Sequence, residues 1–322
     1  MFKFNTGKNP KWKYYLRNYV LLLVPKVFLV LWKNQLLKNV YLREDYDYIQ
    51  ERVNYYNQLS ESQKLNAPIP IQSFKKSKVK EGSVYFFDTV HYLKCFPSHF
   101  TFASKFGDVV TVPSQASLVK SRPISKNNQN SVMLKLDKVR HFIFVNDFVK
   151  FQQKKDMVLF RGKIAEKQNR IDFFHQYFED PLCDLGMIDK HLDEVPQEWK
   201  VPKMTIPEHL NYKFILALEG IDVASNLKWI MSSNSIAVMP KPTCETWFME
   251  AKLIADHHYI EIKDDFSDLP EKIAYFLSQP ERCQEMIKNA NAYVAQFKNK
   301  KREHIISLLV LEKYFKYTNY SS

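Results

Sequence analysis

The chain has 322 residues, 45% apolar and 25% charged, enough to bury a large core and the balance of a globular protein of two domains. The net charge of +12 is concentrated: nine Lys or Arg and no carboxylate fall within residues 1–43, leaving about +3 for the other 279. A nucleic-acid face needs basic residues spread over the folded domain, so no nucleic-acid partner is expected. Four well-separated cysteines without a CxxC pair give neither a disulfide framework nor a zinc site, and a reducing compartment fits. Nine histidines show no HExxH spacing, and six glycines are too few and too scattered for GxGxxG or a P-loop. Any phosphate site must be built from helix ends and side chains.

Residues 19–32, YVLLLVPKVFLVLW, form an apolar run bracketed by Lys11, Lys13 and Arg17 before it and Lys33 and Lys38 after it. A spanning helix needs roughly 20 apolar residues. This run is shorter, is interrupted by Pro25–Lys26, and has no small-residue cleavage site after it. The reading is an interfacial segment on an anionic membrane, with Trp12, Tyr14, Tyr15 and Trp32 near headgroup level. The bland alternative is an ordinary buried helix.

Residues 43–59 carry apolar side chains at helical spacing. Asp45-x-Asp47 within them resembles a metal-binding DxD, but positions i and i+2 of a helix diverge, which favours a solvated face. A polar connection over 60–82 leads to short expected strands at 83–88, 100–108, 109–113, 117–124 and 141–146. From 157 strands and helices alternate: strand 157–162, helix from 167, strand 214–219, helix 223–232, strand 235–240, helix 244–253, strand 258–262, and helices from 268 onward. That alternation predicts α/β architecture: two doubly wound, Rossmann-like domains facing a cleft. The expected divisions are a basic apolar segment (1–42), an N-terminal domain (43–152), a C-terminal domain (153–300) and a terminal helix (301–322) packing back on the N-terminal domain.

Ligands of such sheets sit beyond the carboxyl ends of the strands. There the chain places Arg161, Gly162 and Lys163; then Gly220, Asp222, Ser225 and Lys228; then Lys241, Thr243, Glu245 and Trp247. Helix N-termini with Arg161 and Lys228 suit a diphosphate, and Glu245 suits ribose hydroxyls. Each has an ordinary alternative: Asp222 as a helix cap, Lys228 as a surface lysine, Trp247 as core.

VLFRGK (158–163), YKFILALEGIDVASNLKWIMSSNSIAV (212–238), ETWF (245–248) and HYIEIKDDFSDLPEKI (258–273) resemble glycosyltransferase family 90. That family includes xylosyltransferases, protein O-glucosyltransferases and bacterial LpsA-type lipopolysaccharide enzymes. The similarity is strong over 157–295 and weaker toward the N-terminus, where 106–124 matches best.

The resemblance implies a GT-B fold and metal-independent, inverting transfer from a nucleotide-sugar, UDP first among them. The nucleotide-sugar is a substrate and no cofactor is implied. The acceptor would be a lipopolysaccharide-core, lipid-linked or other cell-surface glycan, at the cytoplasmic face of the membrane. By the same resemblance Arg161 is the FRG arginine, and Ser225 and Lys228 lie on the donor helix. Lys163 replaces a serine, and Leu227, between Asn226 and Lys228, replaces an arginine, so Lys163 or Lys241 is left to neutralise the diphosphate. The catalytic base matches Asp108, with Asp88 as rival; Lys120 and Arg122 are acceptor-side candidates. The competing readings are a non-catalytic basic protein that binds membrane or nucleic acid, and another carbohydrate enzyme of the same fold, such as a phosphorylase.

Overall fold

A computed structural model describes residues 6–189 and 195–319. The outermost residues of the expected first and last segments lie outside that range. The chain divides into two units, and each draws on separated stretches of sequence.

One unit comprises Pro10–Val139, Thr243–Ala251 and the chain from Phe297 onward. Helices α1 (Lys11–Leu23) and α2 (Lys26–Leu37) are parted at Pro25, which lacks an N–H and restricts the residue before it. Helix α3 (Tyr46–Tyr56) buries Ile49, Arg52, Val53 and Tyr56, the spacing of one helical face. Asp45 precedes it and pairs with Arg43 at 2.7 Å and Arg302 at 3.5 Å, so the DxD aspartates do not form a ligand pair. The stretch expected as a strand at 83–88 is instead the start of helix α4 (Ser83–Leu93), buried on nearly all sides. Its aromatics pack on Tyr19, Phe74 and Phe106, and that burial overrides their strand preference.

The strands of this unit are short. β1 (Ile69–Pro70) pairs antiparallel with β2 (Thr101–Phe102), while β3 (Ser104–Lys105), β4 (Ser117–Val119) and β6 (Ser131–Met133) make a parallel sheet. β5 (Ser121–Pro123) leaves that sheet to pair antiparallel with β11 (Cys244–Thr246), with Glu245 opposite Arg122. The parallel strands are joined without intervening helices, so the expected second doubly wound sheet is not what forms here. Residues 109–113 form no strand; Val109 donates from its amide to Ser121 Oγ (2.9 Å) and accepts back at its carbonyl (3.1 Å), so a side chain takes the place of a ladder. After a short helix α5 (Lys138–His141) the chain passes into the other unit, where residues 142–146 are irregular too, and the Val145 amide is held by Ser232 Oγ at 2.9 Å. Helix α11 (Lys300–Thr318), capped by the Asn299 side chain on the Arg302 amide, supplies Ile305, Ile306, Leu308, Leu311 and Tyr314 to the core.

The other unit comprises Arg140–Pro242, Lys252–Gln296 and the residues up to Asn9. Its apolar runs make five parallel strands: β7 (Lys155–Gly162), β8 (Cys183–Met187), β9 (Tyr212–Leu216), β10 (Ile236–Met239) and β12 (Ile260–Glu261). In space they run β12–β10–β9–β7–β8. Numbered in chain order this is 2-1-3-4-5, a doubly wound sheet whose winding reverses between β7 and β9. β9 and β10 are almost entirely buried because both faces are covered, which is why they read as unbroken apolar runs. Helices α6 (Gln168–Tyr177), α7 (Ile206–His209), α8 (Leu227–Ile230), α9 (Leu269–Leu277) and α10 (Pro280–Ala295) complete the unit. Phe160, Phe173, Phe174, Phe214 and Trp199 anchor the core, each contributing on the order of 1.5–3 kcal/mol by burial.

Candidate functional site

The reversal between β7 and β9 marks where a doubly wound sheet holds its ligand. β7 ends at Gly162 and the loop after it carries Lys163 and Ile164; the loop after β9 carries Leu218, Glu219, Gly220 and Asp222. Arg170, in the first turn of α6, ties the two loops together. Its Nη1 donates to the Lys163 carbonyl (2.6 Å), Nη2 to Leu218 (2.6 Å) and Nε to Glu219 (3.1 Å). The guanidinium lies 5.5 Å from the Phe160 ring centroid. Burial pushes Arg170 down to about 10, with Asp189 opposing that shift, so it remains a cation at neutral pH. Three of its five N–H groups are used, leaving two for a further acceptor. Gly220 lies beside them: a Cβ there would stand 3.4 Å from Arg170 Nη2 and 3.5 Å from Lys167 Cε, in ordinary contact with both. Lys163 is exposed on the same loop, and buried Asp189 accepts from the Ile164 amide at 2.7 Å, fixing that loop's course.

Arg161 behaves otherwise than its place in FRG implies. Its side chain runs across Gly186 of β8, where any Cβ would meet Arg161 Cδ at 2.8 Å, and its guanidinium pairs with Asp184. Tyr212 donates to the same carboxylate, and Arg161 Nη1 donates to the Asp184 carbonyl at 2.7 Å. Arg161 is thus occupied in bracing β7 against β8. Lys228 is no surface lysine: it is fully buried, its Nζ 5.8 Å over the Phe142 ring. Asp222 is buried behind exposed Ile221, whereas Ser225 and Lys241 are exposed.

The expected helix over 244–253 is replaced by β11, and Glu245 belongs to the unit of Pro10–Val139 rather than to the doubly wound sheet. Its carboxylate takes Arg122 Nε at 2.8 Å and the Tyr55 hydroxyl. Both partners of this pair are buried, so neither Glu245 as a ribose ligand nor Arg122 as an acceptor contact fits the structure. Trp247 is core: it stacks on Tyr56 at 3.9 Å and donates from Nε1 to Glu303 at 2.7 Å. Glu303 also binds Arg52 (2.7 Å) and Lys135 (2.8 Å). Burial alone would raise the Glu303 carboxyl, but Lys135 and Arg52 hold it below the ordinary range.

The two candidate bases separate clearly. Asp88 lies within α4, 2% exposed, and accepts from the Tyr14 hydroxyl (2.9 Å) and the Lys138 amide (3.0 Å). Burial raises its pKa, and its contacts are those of a structural node. Asp108 follows Gly107, whose φ of +93° favours glycine, and its side chain keeps 28% exposure while pairing with buried Lys120. Lys120, at 2% exposure, therefore serves Asp108 rather than an acceptor directly.

Arg170 escaped the sequence reading. Its signal was positional: a basic residue in the first turn of the helix after β7, beside the strand-order reversal, which becomes visible only once the order is known.

A parallel α/β unit with an arginine joining the two loops at its topological switch point belongs to the broad class that binds ligands at the carboxyl ends of sheet strands. Comparison with known proteins narrows the class. Residues 128–322 match the family described as Glycosyl transferase family 90. The chain is 43% identical over 268 residues to "O-glucosyltransferase LpsA" of Dichelobacter nodosus, covering 83% of this chain and 82% of that protein. It is also 29% identical over 111 residues to "Uncharacterized protein 179R" of Invertebrate iridescent virus 6, covering 32% of this chain and 9% of that protein. The chain belongs to glycosyltransferase family 90 and is a glycosyltransferase. The reading as a non-catalytic basic protein falls with that.

Proposed function

We propose that the protein transfers a sugar, with inversion, from a UDP-sugar to a hydroxyl of a lipopolysaccharide-core or comparable cell-surface glycan. Glucose is the first donor sugar to test, given the relative's printed activity. The labour divides in the GT-B manner: the doubly wound unit takes the donor and the other unit supplies the base. Asp108 accepts the proton of the acceptor hydroxyl as its oxygen bonds to the anomeric carbon. The bond from that carbon to the diphosphate breaks, and its electron pair leaves with UDP. The negative charge that develops is met by Arg170, held beside the strand ends by the Lys163 carbonyl, and by the exposed ammonium of Lys163 on the same loop. Exposed Lys241 is the reserve cation. Transfer on this reading is metal-independent and needs no resident cofactor.

The observation that carries the donor site is the pinning of Arg170 by carbonyls from both switch-point loops. Arg170→Ala removes a charged hydrogen bond worth about 1.5–3 kcal/mol. UDP affinity by calorimetry is expected to fall roughly ten- to hundredfold on that basis. Arg161→Ala, by contrast, is expected to lower the melting temperature through loss of the Asp184 pair while UDP affinity changes less. Unchanged UDP binding in Arg170→Ala, with the protein folded, would move the diphosphate elsewhere. A panel of UDP-, GDP- and CMP-sugars with product release as readout tests the nucleotide. EDTA is expected to leave turnover unchanged, and a loss restored by added divalent metal would overturn the metal-independent reading.

A further inference from the structure

Helices α1 and α2 leave one face that nothing in their unit covers. Their inner faces are engaged: the Tyr15 hydroxyl bonds Ser83 Oγ (3.2 Å), Tyr14 bonds Asp88, and Trp32 packs edge-on to His304 (5.2 Å). Tyr14, Tyr15 and Trp32 therefore point inward and not at headgroup level. Outward stand Trp12, Leu16 and Leu23 of α1 and Val27, Phe28 and Leu31 of α2, from 58% to 82% exposed. The α1 members share one stripe, at i, i+4 and i+11. Among the described residues, ten of the sixteen large apolar side chains left exposed lie within 12–42, so the patch is local and not ordinary surface scatter.

Lys11, Lys13 and Arg17 are exposed beside the α1 stripe, and residues 1–43 contain no carboxylate. An open groove of about 570 Å³ borders α2, with Lys33 and Lys38 on its wall next to Leu31 and Leu309. We propose that this face docks on an anionic lipid surface, both helices lying in the interfacial plane. The apolar stripe enters the acyl boundary, and the flanking cations meet lipid phosphates. A second copy of the chain would bring like charges together, which disfavours self-association through this face. Crossing the bilayer does not fit: the two helical segments are bent by 104° to one another, no single helix among the described residues is long and apolar enough to span, and their inner faces are bound to the unit.

The test is sedimentation of the full chain with phosphatidylcholine vesicles, with and without phosphatidylglycerol. Binding is expected only to the anionic vesicles, weakening with salt. Leu23→Asp/Phe28→Asp is expected to lose at least tenfold in partitioning. Lys11→Glu/Lys13→Glu/Arg17→Glu should lose more, at roughly fivefold per basic residue. Both variants change exposed positions, so melting temperature and turnover on a soluble acceptor analogue should match the parent; a failed donor assignment would leave these arms readable. Equal partitioning of parent and variants, or equal binding to neutral vesicles, overturns the proposal. So does a dimeric parent that the apolar variant converts to monomer without vesicle binding, which would seat a second copy on the face.

Discussion

Asp108→Asn is expected to lower turnover by ~10²–10⁴, the loss typical of a removed general base, with UDP affinity unchanged. The substitution keeps the shape of the side chain and removes its proton acceptor. Asp88→Asn is expected to keep turnover close to the parent's, because that side chain is buried within α4 and serves Tyr14 and Lys138. Lys120→Met adds a control: it frees the Asp108 carboxylate from its buried partner and separates a charge effect from loss of the base. If Asp108→Asn retains turnover while Asp88→Asn abolishes it, with both variants folded, the base is Asp88.

Glu303→Gln is expected to be the most destabilising single change among the residues discussed. It leaves Arg52 and Lys135 in the core without their carboxylate, and breaking a buried pair costs about 3–5 kcal/mol. The melting temperature should fall by roughly 6–20 °C at that cost. Replacing the two cations as well, by Met, should return part of the loss, since the penalty comes from uncompensated charge. In the parent, the folded carboxyl titrates below its unfolded value. Its contribution is therefore complete above about pH 4.3, the unfolded value, and disappears as pH falls through the folded one. Thermal melts of parent and variant across the acid range should converge; a constant gap would remove Glu303 from the acid response.

What could be read in advance was the part of the fold set by local pattern. β9 and β10 were legible because strands covered on both faces must be apolar throughout, and β7 by its apolar centre, 157–160. Helix α3 was legible by its period. The strand assigned to 83–88 failed because Tyr85, Phe86 and Phe87 favour strands in general but are buried here around a helix. The helix assigned to 244–253 failed for a different reason. Glu245 is fixed by Arg122 and Tyr55, more than a hundred positions away in the chain, and Thr246 donates from its amide and hydroxyl to Glu250 (2.6 and 2.9 Å). No local pattern reports Arg122 and Tyr55 as partners. The same limit applies around FRG: Arg161 turns to Asp184, while Arg170 bonds the loops after β7 and β9, a distinction that depends on which strand lies beside which.

The excursion of Thr243–Ala251 out of one unit and into the other bears on how the gene can be cut. The family match begins at residue 128, yet a fragment from there onward would carry Glu245 and Trp247 without Arg122 and Tyr56. Truncation at 296 would seem to trim a tail, but it would delete Glu303 and the core face of α11. The doubly wound unit therefore cannot be exchanged between relatives as one contiguous cassette. Moving that unit means transplanting the residues up to 9, 140–242 and 252–296 while leaving the host's nine-residue ETWF-bearing segment in place, so this chain can be recombined only in pieces finer than its units.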